Sequence, residues 1–494
     1  MPYFYFNKIL IFFSVLYISF QSEDDSKALS LFFNKDSFLT SIEPTETMRN
    51  LQNNKIYINT QIAEPNQNLK LYLRFNEYIT YITDKNYKKG ESTSYEFTRK
   101  NNNKDAEFTP SNFQTDGLKS GYESKEILKL DKNIIKDFYF ILVDKLNNNY
   151  DIYESILGLN LPESTIRPVL FTTNFLEQLK NNNLINKRLF SIFYFNKINN
   201  DNNKNKYKDY DGQIIFGKLP HELNDEEVYS EINKNYIFND NNLNWINVEA
   251  GDYHIKWKIK FDSIVSMKEQ ISDTVTEFVI EQNFFTGTPQ FRSIINKYFF
   301  DEFISKKICI EDKYYSSKES LRYYYYNCDI SIKSEFDKYK EDILVFKSKD
   351  LNEIFSFKLE ELFFEYTNRL FFGVIFDEYQ MYGWKLGRLF FEKYPLIFSV
   401  DNKAIGYYKQ INIDKKNKNL YVIIILVILV ILLLIILFIG FRKYNLLKNL
   451  IPRKIKANEL NDEYSYGNIE DTKKEIITEM ATTTSKDSVS PLGY

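Results

Sequence analysis

Residues 420–439 read LYVIIILVILVILLLIILFI, twenty consecutive positions without a charged or amide side chain. A helix rising ~1.5 Å per residue covers ~30 Å over that length, the thickness of a bilayer's hydrocarbon core. A helix buried in a water-soluble core would show polar residues at helical spacing, and this run has none. It therefore predicts a membrane helix over 420–441, in contact with lipid, which assigns the rest of the chain to one side or the other. The fifteen residues after Phe441 hold six basic side chains (Arg442, Lys443, Lys448, Arg453, Lys454, Lys456) and the fifteen before Leu420 hold four (Lys409, Lys415, Lys416, Lys418). That bias predicts a cytoplasmic tail over 442–494. Beyond Glu459 the tail is polar and reads as disordered.

At the other end, one charge (Lys8) precedes the apolar stretch ILIFFSVLYISF, which stops before the acidic EDD that begins at Glu23. The stretch is too short to span a bilayer and reads as a secretory signal peptide over 1–22. The expectation is a single-pass type I membrane protein, its outer region extracellular or in a secretory or endolysosomal lumen. An oxidising compartment leaves two options for Cys309 and Cys328, nineteen residues apart: a loop-closing disulfide or two reduced core thiols.

Composition narrows the chemistry. With 64 Lys+Arg against 67 Asp+Glu the formal charge is −3, so no basic field draws nucleic acid and none is expected as a partner. Two His and two Cys are too few for a three- or four-ligand zinc site or several redox centres, and no cofactor or metal is expected.

Strand-sized runs rich in Ile, Tyr, Phe and Val recur between Asn-, Asp- and Lys-rich breaks: KIYINTQI, LKLYLRF, DFYFILV, LFSIFYF, GQIIFG, YHIKWKIKF, IFSFKL and LIFSV. They predict a mainly β outer region. Helix is expected only over 174–184, over 288–307 and around GRLFFEKY. The Asn-rich insert 196–212 reads as an expanded surface loop. RYYYYN (322–327) is either a stacking surface for sugars or peptides or a strand covered on both faces.

The segment GWKLGRLFFEKYPLIFSVDNKAIGYYK (383–409) closely resembles the closing segment of pepsin-like aspartic peptidases, W-x-L-G-acidic-x-F-apolar and then Y-x-apolar-F-x-x-x-N-x-x-apolar-G. Other segments follow in that family's order. YINTQIAEPNQNLKLYL (57–73) resembles the entry strands, with Pro65 heading the P-x-Q motif, and SILGL (155–159) resembles the G-I-L-G-L turn. RLFSIFYF (188–195), DGQIIFGKLP (211–220) and WINVEAGDYHIKWKIKFDSIVS (245–266) are similar to later family strands. The scaffold positions Pro65, Gly158, Gly217, Trp384, Gly387 and Gly406 are kept. The resemblance implies a bilobal pepsin-like fold: an N-terminal extension over 23–50, lobes over 51–240 and 241–411, and a linker over 412–419. It also implies a Cys309–Cys328 disulfide in the second lobe.

That family hydrolyses peptide bonds with two carboxylates that share a proton across a bound water, each in an Asp-Thr/Ser-Gly loop. Nine residues beyond Pro65 the first catalytic position falls on Arg74, and the loop reads Arg74, Phe75, Asn76, Glu77. A guanidinium cannot act as a general base. In the second lobe Glu281, Gln282 and Asn283 fit the Asp-Thr-Gly positions best; a one-residue shift would put Ile280 first. The flap tyrosine position is Gln114, with Phe113 beside it. The resemblance thus implies a membrane-anchored pseudopeptidase whose cleft takes a peptide or protein, with Arg74 expected to pair with Glu281, or failing that with Glu77. Two rival expectations are an active endopeptidase using Glu281 and a further acid, and an adhesion or structural ectodomain.

Overall fold

The computed structural model describes residues 27–36, 43–52, 55–97, 100–101, 104–105, 107–108, 118–146, 154–161, 174–195, 209–223, 238–249, 256–316, 321–339, 341–379, 383–409 and 413–450. The expected signal peptide, Phe113, Gln114 and the tail beyond 450 lie outside them. One compact unit ends at Asn412 and a second begins at Ile413.

The first unit is mainly β, as the alternating runs predict. In Ile56–Ile62 the residues Ile56, Ile58, Thr60 and Ile62 are buried while Asn59 and Gln61 face water, the period-two pattern of a strand. The largest sheet has 14 strands and draws on both ends of the unit. Leu29–Lys35 pairs with Gly212–Phe216 on one side and with Ile56–Ile62 on the other, so part of the expected N-terminal extension is an interior strand. On the far side Gly212–Phe216 pairs with Leu189–Tyr194, then follow Ile397–Ser399, Ala404–Tyr408 and Leu243–Asn247.

Eight strands frame the candidate site. In chain order they are β1 (Gln67–Arg74), β2 (Tyr81–Thr83), β3 (Asn133–Leu146), β4 (Ser155–Gly158), β5 (Val275–Phe278), β6 (Phe285–Thr286), β7 (Val374–Asp377) and β8 (Trp384–Leu386). β4 lies parallel to β1 and antiparallel to β2, and β2 lies parallel to β3. β8 lies parallel to β5 and antiparallel to β6, and β6 lies parallel to β7. The same four-strand arrangement occurs twice.

The three expected helices form, each with a local cause. Phe175–Asn181 is capped by Asn174, whose Oδ1 accepts the Glu177 amide at 3.1 Å. Pro289–Ile295 is capped by the Thr288 hydroxyl and carries Pro at a position where the missing N–H costs nothing; a wider turn over Asn296–Phe300 joins it to Asp301–Ser305. Arg388–Lys393 buries Phe390 and Phe391. A further helix, Pro44–Gln52, has only Met48 and Leu51 as an apolar stripe, too little periodicity to read from sequence.

RYYYYN lies in the strand Leu321–Asp329 with Tyr323, Tyr325 and Tyr326 buried, and Tyr326 stacks on Phe300 at 3.9 Å between ring centroids. It is the covered strand rather than an exposed platform. Cys309 and Cys328 oppose each other on adjacent antiparallel strands and are joined by a disulfide in the core. Closing a nineteen-residue loop restricts the unfolded chain. Replacing both cysteines with serine is expected to lower the unfolding free energy by about 3 kcal/mol, measured by urea denaturation of the purified outer region; an unchanged midpoint would contradict this.

Among the described residues the second unit holds one helix, Ile413–Leu450, 38 residues long. It begins within the expected linker, because the lysines there propagate a helix at little cost, and its described part stops two residues before Pro452. Within it Ile425–Lys443 is long and apolar enough to cross a membrane, and its apolar side chains are exposed.

Candidate functional site

The two copies of the four-strand arrangement share one register. Leu73 faces Leu157 and Tyr81 faces Ile156 in the first copy; Phe278 faces Leu386 and Thr286 faces Lys385 in the second. The loops between β1 and β2 and between β5 and β6 are equally long by this register. Arg74 therefore answers to Val279, Phe75 to Ile280, Asn76 to Glu281 and Glu77 to Gln282.

The glycines agree. A Cβ on Gly158 would fall within 2.8 Å of the Glu77 carbonyl oxygen, the Tyr78 carbonyl carbon and the Ile79 carbonyl oxygen. A Cβ on Gly387 would meet the equivalent atoms of Gln282, Asn283 and Phe284 at 3.1 Å or less. Both loops thus press backbone against a strand end that only glycine permits. The sequence expectation set Glu281, or Ile280, against Arg74; strand pairing puts Val279 there. Ile280 is fully buried and Glu281 sits two residues further along the loop.

Arg74 ends β1 and is only 2% exposed. Its Nη2 lies 3.0 Å from Glu154 Oε2, and Lys55 Nζ holds the other oxygen of the same carboxylate. Glu154 immediately precedes β4, whose register pairs Gly158 with Arg74, so the ion pair is made by side chains reaching between the neighbouring strands rather than by paired residues. This corrects the expected pairing: Glu281 and Glu77 act on Arg74 only through space, behind Glu154. Burial opposes the Arg74 charge, but the surrounding carboxylates, Glu154 foremost, outweigh it and hold the guanidinium above its ordinary value. Burial, with Arg74 alongside, holds the Lys55 ammonium below its ordinary value. Asp36 lies nearby and accepts the Tyr72 hydroxyl at 3.3 Å; burial pushes its carboxyl up.

Glu281, 6% exposed, reaches across to the first loop: Oε2 accepts the Phe75 amide at 3.2 Å and Oε1 the Asn76 amide at 3.3 Å. Phe75 itself is buried against Phe190, Phe391 and Phe398, with ring centroids 4.7–5.8 Å apart. A second link runs between the two strand arrangements, where Trp257 Nε1 donates to the Leu159 carbonyl at 2.9 Å. Glu77 is buried and its carbonyl accepts the Asn160 amide. Asn76 is exposed. On the second loop, Gln282 accepts the Arg388 amide at 2.8 Å, and the Asn283 and Phe284 amides donate to the Gln52 backbone and side-chain oxygens at 3.4 and 3.1 Å.

At the two equivalent loop positions, then, stand a guanidinium and an isopropyl group. Neither exchanges a proton with water as a carboxylate dyad does. Among the described residues no group of three or more His, Cys, Asp and Glu side chains is arranged to hold a metal ion. Sequence reading missed Glu154 and Lys55. The signal was the acid just before SILGL, at the start of the strand that lies beside β1. No family model matches the chain, and no curated protein matches it.

Proposed function

We propose that the chain is a membrane-anchored protein with a pepsin-like bilobal outer region that has lost ordinary aspartic-peptidase chemistry and uses the cleft between its halves to bind a peptide or protein. The observation that carries this reading is the twice-occurring four-strand arrangement with Arg74 and Val279 at its equivalent loop positions. It agrees with the order of the family-like segments from Tyr57 to Lys409. The apolar helix and the disulfide support a single pass, with the outer region facing the extracellular space or a secretory or endolysosomal lumen and the tail cytoplasmic.

The test is proteolysis. Purified outer region, incubated with an unfolded protein under acid conditions, is expected to produce no cleavage that a statine inhibitor abolishes. Statine-sensitive cleavage would establish the rival, an active endopeptidase built on Glu281 and another acid. A second reading, a structural or adhesion ectodomain, is favoured by Phe75 and Glu281, which fill the floor between the two loops with protein. Titrating the outer region with a statine-containing peptide and a library of extended peptides separates the two: saturable binding supports the cleft reading, and its absence across the library supports the filled one.

A further inference from the structure

We propose that the outer edge of the strand Glu353–Lys358 is a strand-addition surface for a second copy of this chain, held closed by the side chains of Glu353, Glu361, Lys393 and Tyr394. The strand is the last of a 4-stranded sheet, in the order Glu269–Ile271, Ser263–Ser266, Asp342–Ser348 and Glu353–Lys358. It pairs with Asp342–Ser348 on one side, and no described strand pairs with the other. Such an edge offers a row of amides and carbonyls to any extended chain. The sequence EIFSFK suits that pairing: it is rich in strand formers, contains no Pro or Gly and carries one charge of each sign. Along a strand, every second residue turns its N–H and C=O toward the same edge. Ile354, Ser356 and Lys358 share the outer edge, and the amide of each donates to a side chain.

The Ser356 amide donates to the Tyr394 hydroxyl at 2.9 Å, and the Ser356 carbonyl accepts from that hydroxyl at 2.9 Å and from Lys393 Nζ at 2.8 Å. The Lys358 amide donates to Glu361 Oε2 at 2.8 Å and the Ile354 amide to Glu353 Oε1 at 2.9 Å. Lys393 also holds both oxygens of Glu361 at 2.7 Å, which ties two of these caps together. The Tyr394 ring is fixed among Phe355, Phe357 and Phe390, with centroids 5.0–5.6 Å away. The opposite edge of the same sheet is closed in the same way. There Gln290 Nε2 donates to the Gln270 carbonyl at 3.0 Å and its Oε1 accepts the Ser272 amide at 2.9 Å, as the peptide group of a neighbouring strand would. The partner that fits Glu353–Lys358 is the same strand of another copy. Antiparallel pairing about Ser356 sets Phe355 opposite Phe357, both on the buried face, and Ile354, 54% exposed, opposite Lys358. The arrangement is two-fold symmetric, and the amides that the side chains now occupy are the ones the second strand would take.

The test compares the full chain, in detergent micelles, with a variant carrying Glu353→Ala, Glu361→Ala and Tyr394→Phe, the last of which keeps the ring in place. Sedimentation equilibrium is expected to show self-association strengthened about a hundredfold in the variant, about fivefold for each side-chain hydrogen bond that a partner strand no longer has to displace. Adding Ile354→Lys, a charge of the kind that edge strands carry against pairing, is expected to abolish that gain. Hydrogen exchange locates the contact: the amides of Ile354, Ser356 and Lys358 should exchange fast in the dilute variant and slowly in the concentrated one. If the triple variant does not fold, Tyr394→Phe alone decides, with association and Ser356 exchange each expected to rise about fivefold while the Phe346 amide stays protected. A folded triple variant that associates no more than wild type, association that survives Ile354→Lys, or Ser356 exchange unchanged by Tyr394→Phe would overturn the proposal.

Discussion

Glu154→Ala is expected to destabilise the outer region by about 3–5 kcal/mol, the usual cost of removing one member of a buried ion pair. The carboxylate stands between Arg74 and Lys55, and Arg74 has almost no route to water. Removing Glu154 leaves a buried guanidinium without its nearest counter-charge, and a guanidinium cannot shed its proton to escape. Lys55, already held below its ordinary value, can respond by losing charge, so the burden falls on Arg74. Two further variants identify the cause. Glu154→Gln keeps hydrogen-bonding capacity but not charge and should lie between wild type and Glu154→Ala. Arg74→Met combined with Glu154→Leu should recover most of the loss, because apolar groups of similar volume often replace a buried pair without penalty. Chemical denaturation of the four proteins measures this. Failure of the double variant to recover would mean that cavity formation rather than uncompensated charge sets the cost.

Glu281→Ala is expected to cost about 3–6 kcal/mol, since two backbone amides lose a charged acceptor and hydrogen bonds to charged groups contribute roughly 1.5–3 kcal/mol each. The loss is local before it is global. The amides of Phe75 and Asn76 should exchange with deuterium faster in the variant, while those of the paired strands stay protected. Glu281→Gln, which keeps one oxygen, should cost about half as much. Unchanged exchange at Phe75 and Asn76 would show that Glu281 is not the link between the loops.

Much of the first unit was legible because strands buried on one face carry their pattern in sequence. KIYINTQI and LKLYLRF alternate, and their strands form where the alternation places them. Asn174 and Thr288 were legible as helix starts for a local reason, side-chain oxygens able to accept the first free amides. Leu29–Lys35 was not legible as an interior strand: its partners lie about 20 and about 180 residues away, and nothing local records them. The same limit explains the site. Arg74 could be placed by counting from Pro65, but its partner Glu154 is set by parallel pairing of β4 with β1, a long-range register. Glu281 was chosen in the second loop because it is the acid there, whereas the strand register selects by backbone position and puts Val279 opposite Arg74. Chemistry and geometry pointed to neighbouring residues, and only the pairing could choose.

The strand Ala404–Tyr408 is the last described strand of the first unit, and it is flanked on both sides, by five register pairs to Leu243–Asn247 and three to Ile397–Ser399. Hydrogen bonds between antiparallel strands run across the strand direction. Its residues 404–406 are thus bonded on both edges, and this strand can leave the sheet only by giving up both ladders together.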